Sequence, residues 1–495
     1  MMNNKLTSVF VKEQKHYSKT ELRSLFDCDE DKCRKIIKRL KEQGIVKPFI
    51  PDKNRDEIPE LSEDDYEIGD NVTDDETGYI FKFVGVINLF DTVIKIFPKY
   101  ISESNEDKLS AALKQIIKVL MKYNSKYSEQ KLYIESEGII EVNKLSLMIY
   151  FLNDYFENGI YTNDISVLEV NGENEIIWER TINDTFALIS NNKPYYPEMI
   201  TRRRKINDFD FFRRLHAAIV NECSDELDKS GLTELFDFEK AEITDETISE
   251  LGDSEYLLNR IEKELNIQFS TRKQILLKAM YAYIANNNAC KDEEAVRFFG
   301  TNSFHTVWEK VCSNVFDNQL SKNLRDIRVP IKKVADGFNP SDTLLGIIDK
   351  PDWAVLDENG NIQQMIKAAD TLIPDCVFIN DDIFVILDAK YYRIRFENGK
   401  IKGQPGIGDI TKQHLYELAY SDFIEKHGFD KEKVRNCFLV PVEQNEIIAI
   451  SIAEFKPLSR SLKLHPVQVK GIPAKLLFDK YLKGQKYTIK DLKLG

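Results

Sequence analysis

The pattern of apolar and polar positions is most informative in the carboxyl-terminal part of the chain. Two apolar, β-branched runs, 372–379 and 383–390, flank a polar break at Asn380-Asp381-Asp382, which predicts a β-hairpin. Both runs are continuously apolar, so we expect strands buried on both faces, in a sheet that helices cover. Runs at 437–442 and 447–452 predict two further strands.

Before the hairpin, apolar residues recur at helical and strand spacing in turn. The segments 106–156, 207–223, 254–289 and 304–316 predict helices, whereas 79–87, 92–100 and 175–182 predict strands. This order indicates a mixed α+β region over 78–295, followed by an α/β domain over 296–495.

The amino-terminal residues predict a small helical unit. Ser18-Lys19-Thr20-Glu21 is a capping box, and a second helix after Asp29 has an apolar stripe and ends at Gly44. A strand follows at 45–49, so residues 1–51 resemble a winged helix. The basic face of the second helix includes Arg34, Lys38 and Arg39, which could contact DNA. A solvated charged face, or a winged helix that binds protein, explains the same pattern.

Charge and cysteine content narrow the class of protein. A net charge of −13 argues against a surface coated for indiscriminate DNA binding, although local basic patches suffice for DNA contact. Residues 52–77 are strongly acidic and predict a flexible linker. The seven cysteines include no CxxC pair, which is typical of a reduced, cytoplasmic protein. The sequence shows no signal peptide, no membrane span and no P-loop, so any NTP-driven step must come from a partner chain.

Three charges interrupt the predicted hairpin. Asp375 follows a proline in the first strand, and Asp388 and Lys390 end the second strand on one face, because side chains alternate. Two converging carboxylates form an oxygen-rich site suited to Mg²⁺, and a lysine beside them suits metal-assisted attack on a phosphodiester. The alternative is a buried Asp–Lys ion pair, which is a poor stabiliser.

These residues carry a family resemblance. Pro374-Asp375 followed by Asp388-Ala389-Lys390 looks like the PD-(D/E)xK nuclease motif. The surrounding words, 386–392 and Pro405-Gly406-Ile407-Gly408-Asp409-Ile410-Thr411-Lys412-Gln413, resemble the LlaJI family of restriction endonucleases, relatives of the McrC nuclease subunit. The resemblance extends from about Gly78 onward and implies a PD-(D/E)xK nuclease domain over 296–495.

The resemblance also implies roles for individual residues. Asp375 and Asp388 would ligate Mg²⁺ with the Ala389 carbonyl, and Glu309 on the preceding helix is a further candidate ligand. Lys390 would orient or deprotonate the attacking water and stabilise charge on the phosphate. The family places a glutamine and a tyrosine near the scissile phosphate, which gives Gln413 a catalytic role and Tyr420 a DNA contact. A McrC-style alignment puts Glu417 at the glutamine position instead. Lys412 is a candidate phosphate contact.

The words FVGVI (83–87) and IFPKY (96–100) resemble the amino-terminal region of LlaJI and McrC proteins, which engages a hexameric AAA+ GTPase in McrC. The implied function is a Mg²⁺-dependent endonuclease subunit of a bacterial restriction system acting on double-stranded DNA. A McrB-like GTPase would then dock on 78–295, and GTP would act only through that partner. A stand-alone repair or recombination nuclease and a non-catalytic DNA-binding adaptor are the alternatives.

Overall fold

The computed structural model describes residues 7–49, 78–134, 144–207, 209–289, 296–327, 334–380, 383–397 and 399–494. The chain divides into two compact units: a first unit of Met1–Tyr127 with Gly300–Gly495, and a second unit of Ser128–Phe299. The predicted boundary at 295/296 lies close to this division. The boundaries at 51/52 and 77/78 do not separate units, and the region 78–295 is itself divided. The acidic segment 52–77 lies outside the described residues.

The first unit begins with six strands and two helices, and a third helix continues past Tyr127 into the second unit. They are β1 Thr7–Lys12, β2 His16–Tyr17, α1 Lys19–Leu25, α2 Glu30–Glu42, β3 Val46–Phe49, β4 Gly78–Phe81, β5 Val84–Leu89, β6 Thr92–Phe97 and α3 Glu106–Ile134. The predicted capping box is present, because Ser18 accepts the Glu21 amide and Glu21 accepts the Ser18 amide. Asp29 caps α2 through the Lys32 amide.

The pairing of these strands corrects the predicted layout. The run 79–87 is two strands, not one: β4 pairs with β2 and β3, whereas β5 pairs with β6 in a different sheet. Strand β1 lies parallel to β6, from Thr7 opposite Thr92 to Lys12 opposite Phe97. Residues before and after the acidic segment therefore share both sheets.

The second unit is mainly helical. Its elements are α4 Lys144–Asn158, β7 Asp164–Val170, β8 Glu175–Ile176, α5 Trp178–Asp184, β9 Leu188–Ser190, β10 Lys193–Tyr195, β11 Ile200–Ile206, α6 Phe211–Lys229, α7 Thr233–Phe236, α8 Ile248–Leu251, α9 Ser254–Ile267 and α10 Thr271–Ala289. Phe151 of α4, His216 of α6 and Tyr283 of α10 pack together in its core. The predicted strand 175–182 is wrong, since only Glu175–Ile176 is extended and a helix follows.

The predicted α/β region lies in the carboxyl-terminal part of the first unit, although its first strand begins at Arg297, in the second unit. Its elements are β12 Arg297–Thr301, α11 Phe304–Val315, β13 Asp352–Leu356, β14 Ile362–Lys367, β15 Cys376–Asn380, β16 Ile383–Ala389, β17 Arg395–Glu397, β18 Lys400–Lys402, α12 Ile407–Ala419, α13 Ser421–Lys426, β19 Val434–Val442, β20 Ile448–Ala453, α14 Lys456–Leu462, β21 Val467–Pro473, α15 Ala474–Lys483 and α16 Ile489–Leu492. Short 3₁₀ turns occupy Leu324–Asp326 and Lys431–Lys433.

A five-stranded mixed sheet, in the order β15–β16–β19–β21–β20, organises this region. Strands β16, β19 and β21 are parallel, and the edge strands β15 and β20 are antiparallel to their neighbours. Helix α12 covers one face, where Tyr416 and Tyr420 pack with Phe384 and Ile386. Helix α11 packs against β16 as well, and Trp308 donates its indole N–H to the Leu439 carbonyl. The predicted hairpin is confirmed, and the mixed α/β class with it.

In the part of the chain that the structure describes, no helix has the length and apolar character required to cross a membrane.

Candidate active site

The register of the hairpin brings the two predicted carboxylates together. Cys376 lies opposite Leu387, so the next position outward sets Asp375 opposite Asp388. The Ala389 amide donates to Asp375 Oδ2 over 2.8 Å, which fixes the first carboxylate against the end of β16. The loop into β15 is held as well, because Asn318 donates to the Asp375 carbonyl over 2.9 Å.

Burial and like charge perturb this pair. Burial and, after it, the neighbouring carboxylates of Asp388 and Glu309 raise the pKa of Asp375 to about 8, although the hydrogen bond from the Ala389 amide partly opposes the shift. Asp388 is buried too, at 4% exposed. Ionising two neighbouring buried carboxyl groups costs free energy, through desolvation and mutual repulsion, unless a cation lies beside them. The pair is therefore suited to binding a divalent cation.

Lys390 lies between two carboxylates. Its Nζ is 2.9 Å from Asp388 Oδ2 and 3.0 Å from Asp409 Oδ1. Burial lowers the pKa of Lys390, but Asp388 and Asp409 outweigh burial and raise that pKa above its usual value. These two carboxylates favour the ammonium form of Lys390, the form suited to orienting water and stabilising phosphate charge.

Asp409 is a site residue that the sequence patterns did not identify. It lies in the first turn of α12, where its Oδ2 accepts the Gly406 amide over 3.0 Å while Oδ1 holds Lys390. The available signal was its place at the end of the glycine-rich loop, in the word Gly406-Ile407-Gly408-Asp409. An acidic residue in a first helical turn has a local explanation as a cap, so its pairing with Lys390 was not visible.

Glu309 is half-buried on α11 and close enough to Asp375 to raise the pKa of that carboxyl. Among the described residues, no group of three or more His, Cys, Asp or Glu side chains is arranged to hold a metal ion. The structure thus brings Asp375 and Asp388 together, with Glu309 within electrostatic reach. A complete protein cage is not needed for Mg²⁺, which usually keeps several waters and uses one or two carboxylates.

Two predicted site residues are buried away from any solvent-facing surface. Gln413 is 0% exposed, and its Nε2 donates to the Ile386 carbonyl over 3.0 Å. Tyr420 is also 0% exposed, and its hydroxyl donates to the Leu344 carbonyl over 3.0 Å. The predicted DNA contact of Tyr420 is inconsistent with this burial, because the ring fills the core beside Phe384. Gln413 instead secures α12 to the strand that carries Asp388.

The predicted basic contacts lie on the surface. Lys412 is exposed on α12, while Arg34 and Lys38 are exposed and Arg39 half-exposed on α2. Two of them are paired within their own helix, since Arg34 is 3.3 Å from Glu30 and Arg39 is 3.4 Å from Glu42. Such exposed pairs contribute little to stability, so these cations remain available to an anionic partner.

Comparison with known proteins identifies the family of the chain. The sequence model of the LlaJI restriction endonuclease family matches residues 83–469. A component of the type II restriction enzyme BsuMI of Bacillus subtilis (strain 168), YdjA, is 27% identical over 424 residues, which cover 83% of each chain.

Two solved structures are more distant. One, titled a refined half-complex of Thermococcus gammatolerans McrB AAA+ hexamers with bound McrC, gives a TM-score of 0.38 at 12% identity, covering 97% of this chain and 99% of that chain. The McrBC complex of the same organism gives 0.26 at 12% identity, covering 61% and 86%. These scores are too low to support an argument, whereas the family match spans most of the sequence. The chain belongs to the LlaJI restriction endonuclease family.

Proposed function

We propose that this chain is the Mg²⁺-dependent DNA-cleaving subunit of a restriction system, with a PD-(D/E)xK active site at the ends of β15 and β16. The observation that carries the proposal is the buried pair Asp375 and Asp388 beside the ammonium of Lys390. A structural ion pair accounts for Asp388 and Lys390 alone. It leaves Asp375 facing a like charge, and the second partner of Lys390 is Asp409.

The donor set fits Mg²⁺. Carboxylate oxygens and a backbone carbonyl are hard ligands, and a divalent cation would relieve the repulsion that raises the pKa of Asp375. Asp375, Asp388 and the Ala389 carbonyl would hold it, and Glu309 would bind it directly or through water. A bound Mg²⁺ supplies an activated water and neutralises charge on the phosphate.

The residues of the chain have distinct tasks in this proposal. Lys390 carries its positive charge toward the phosphate and orients the water. Asp409 holds the ammonium from the other side, so that binding of Asp388 to the cation does not release Lys390. Gln413, on α12, fixes the position of β16 by donating a hydrogen bond to the Ile386 carbonyl. Lys412 and the basic face of α2, with Arg34, Lys38 and Arg39, contact the DNA backbone.

Partner docking is better supported in the second unit than at the words FVGVI and IFPKY. Strands β5 and β6, which carry most of those words, are almost wholly buried. Large apolar side chains are instead exposed between residues 168 and 195: Leu168, Val170, Trp178, Ile182, Phe186, Leu188, Ile189 and Tyr195. Exposed apolar residues at this density are typical of interaction surfaces. We assign docking of a McrB-like AAA+ GTPase to this segment of the second unit.

The substitution Asp388→Ala tests the active site. Loss of a metal ligand removes several kcal/mol of transition-state stabilisation, so Mg²⁺-dependent cleavage of plasmid DNA should fall about a thousandfold. Calorimetric titration should show weakened Mg²⁺ binding, and circular dichroism an intact fold. Asp336→Ala, at an exposed aspartate of the same unit, is the control and should cut normally. Normal cleavage by folded Asp388→Ala would refute this site.

A further inference from the structure

Two of the sequence motifs that resemble the family, at 96–100 and 386–392, meet at one buried contact. IFPKY ends in Lys99 and Tyr100, and the segment after the second active-site carboxylate is Ala389-Lys390-Tyr391. The Tyr391 hydroxyl donates to a carboxylate oxygen of Glu13, in the turn after β1. The same Glu13 oxygen accepts the Lys99 amide over 3.0 Å, and that amide also reaches the Tyr391 hydroxyl over 3.2 Å.

This contact is buried and charged, which sets it apart from ordinary packing. Glu13, Lys99 and Tyr391 are 5%, 9% and 7% exposed. The Lys99 ammonium lies 4.8 Å from the centre of the Tyr391 ring and also donates to Gln14 over 3.0 Å. A buried carboxylate is costly unless paired and hydrogen-bonded, so these groups hold one another in a single arrangement.

The contact is fixed on both sides. The Glu13 amide donates to the Phe97 carbonyl at the end of β6, and the Gln14 amide donates to the Phe81 carbonyl at the end of β4, each over 2.9 Å. On the other side, the Lys390 amide donates to the Leu439 carbonyl over 2.9 Å. Glu13 and Lys99 therefore hold Tyr391, and Tyr391 directly follows Lys390 in the chain.

We propose that Glu13, Lys99 and Tyr391 form a positioning site that sets the placement of Lys390 from the amino-terminal sheets. The inference rests on the proposed nuclease function and adds three residues to it that touch neither metal nor DNA. Through this contact, a change at β1, β4 or β6 reaches Lys390. A shift of about 1 Å in a catalytic group can change a rate about a hundredfold.

The test uses the full chain and two readouts. Tyr391→Phe keeps the ring against Phe304 and removes only the hydroxyl. Trace acetylation with acetic anhydride, read by peptide mass spectrometry, reports how well Asp388 and Asp409 hold the Lys390 amine. We expect the Lys390 labelling rate to rise several-fold, and kcat for Mg²⁺-dependent plasmid nicking to fall about ten- to a hundredfold with KM unchanged.

Matched variants separate positioning from general destabilisation. Tyr283→Phe also removes a buried tyrosine hydroxyl that donates to a glutamate, Glu222, over 2.9 Å, but it does so in the second unit, and it should leave both readouts at wild-type values. Glu13→Ala should resemble Tyr391→Phe. Glu13→Gln keeps an oxygen acceptor and should recover much of the lost rate.

The outcomes decide the two proposals separately. Labelling and kcat that change no more in Tyr391→Phe than in Tyr283→Phe would overturn the positioning role. If Tyr391→Phe does not fold, the comparison of Glu13→Ala with Glu13→Gln decides in its place. Wild-type protein that cuts no DNA even with a McrB-like GTPase and GTP would refute the proposed function, while Lys390 labelling would still decide whether Tyr391 positions that lysine.

Discussion

The charge of Lys390 determines what this residue can contribute to catalysis. The carboxylates of Asp388 and Asp409 raise the pKa of Lys390 above its usual value and so favour its ammonium form. Under the proposed function, Lys390 then contributes by orienting the water and stabilising charge. The sequence predicted the convergence of Asp375, Asp388 and Lys390 because strand periodicity and hairpin register are local. Asp409 is 19 positions beyond Lys390, across a loop whose path no local pattern specifies.

Asp409→Asn should distinguish the role of Asp409 as a partner of Lys390 from a role in binding the metal. Loss of one carboxylate loosens Lys390, so kcat should fall about tenfold, near the lower end of general positioning effects. Mg²⁺ affinity, measured by calorimetry, should stay within about twofold of wild type, since Asp409 is not assigned as a ligand. If Mg²⁺ binding weakens as much as in Asp388→Ala, Asp409 is itself a metal ligand.

The raised pKa of Asp375 predicts how pH affects the metal-free protein. Its folded pKa of about 8 lies above the ordinary value of 3.8, so between these values the folded state holds a proton that the unfolded chain has released. Stability from this group is fully present below pH 3.8 and is lost as pH rises toward 8.

Thermal unfolding in the presence of EDTA measures this effect. Asp375→Asn keeps the neutral shape, so its apparent Tm should match wild type below about pH 3.8, exceed it increasingly as pH rises toward about 8, and level off above that pH. Saturating Mg²⁺ should reverse the difference at pH 8, because only the wild-type carboxylate binds the cation. A Tm difference that does not change with pH would mean that Asp375 is ionised throughout.

At the level of elements, apolar periodicity predicted the strands correctly where a segment lies in one sheet. It failed where a segment passes from one sheet to another. The hairpin β15–β16 was predictable because both strands lie in one sheet. The run 79–87 reads as one strand because β4 and β5 are both buried on both faces, yet the Lys82 amide bonds to Ile45 and the chain changes sheet there. The run 175–182 contains Ile, Trp and Thr residues that favour a strand, but Trp178 and Ile182 are exposed on a two-turn helix.

Helix α2 presents the basic face that the sequence predicts, and substitution tests whether it binds DNA. Replacing Arg34, Lys38 and Arg39 by Gln should weaken binding to duplex DNA. The slope of log K against log salt should fall by up to about three, since each lost phosphate contact removes about 0.9.

The control replaces Lys426, Lys431 and Lys433 by Gln. These lysines are paired with acidic neighbours much as Arg34 and Arg39 are, so the change in net charge is matched. Equal effects of the two sets on affinity and slope would mean that α2 contributes only general charge, and that the amino-terminal helices bind protein or nothing.

At the level of the whole molecule, the first unit is assembled from both ends of the sequence. β1 lies parallel to β6, and Glu13 bonds to a tyrosine 378 positions later. Local sequence patterns cannot indicate contacts between residues so far apart in the chain. For this reason, boundaries placed along the chain at 51 and 77 do not coincide with the limits of the two units. Residues 96–100 and residues 386–392 both resemble the same family. The resemblance did not indicate that the two segments are in contact.

This assembly changes how a requirement for a partner should be tested. Deletion of residues 79–100 would remove β5, β6 and the Lys99 amide that holds Tyr391, so lost cleavage would say nothing about docking. Exposed residues of the second unit provide a cleaner test. Phe186, Ile189 and Tyr195 are 74%, 69% and 55% exposed, and replacing them by Ser should leave the fold and the active site unchanged.

We expect the purified chain alone to bind Mg²⁺ yet cut DNA poorly, because the chain contains no P-loop and unregulated cleavage would destroy host DNA. Under the proposed function, adding a McrB-like AAA+ GTPase with GTP should restore cleavage of the wild type. The Phe186, Ile189 and Tyr195 variant should lose most of that response while keeping Mg²⁺ affinity and Lys390 labelling. Phe209 and Phe269 are also highly exposed in the second unit, at 88% and 94%, and their replacement by Ser is the matched control. Strong cleavage by the isolated chain, unchanged by partner or nucleotide, would instead favour a stand-alone nuclease that uses the same site.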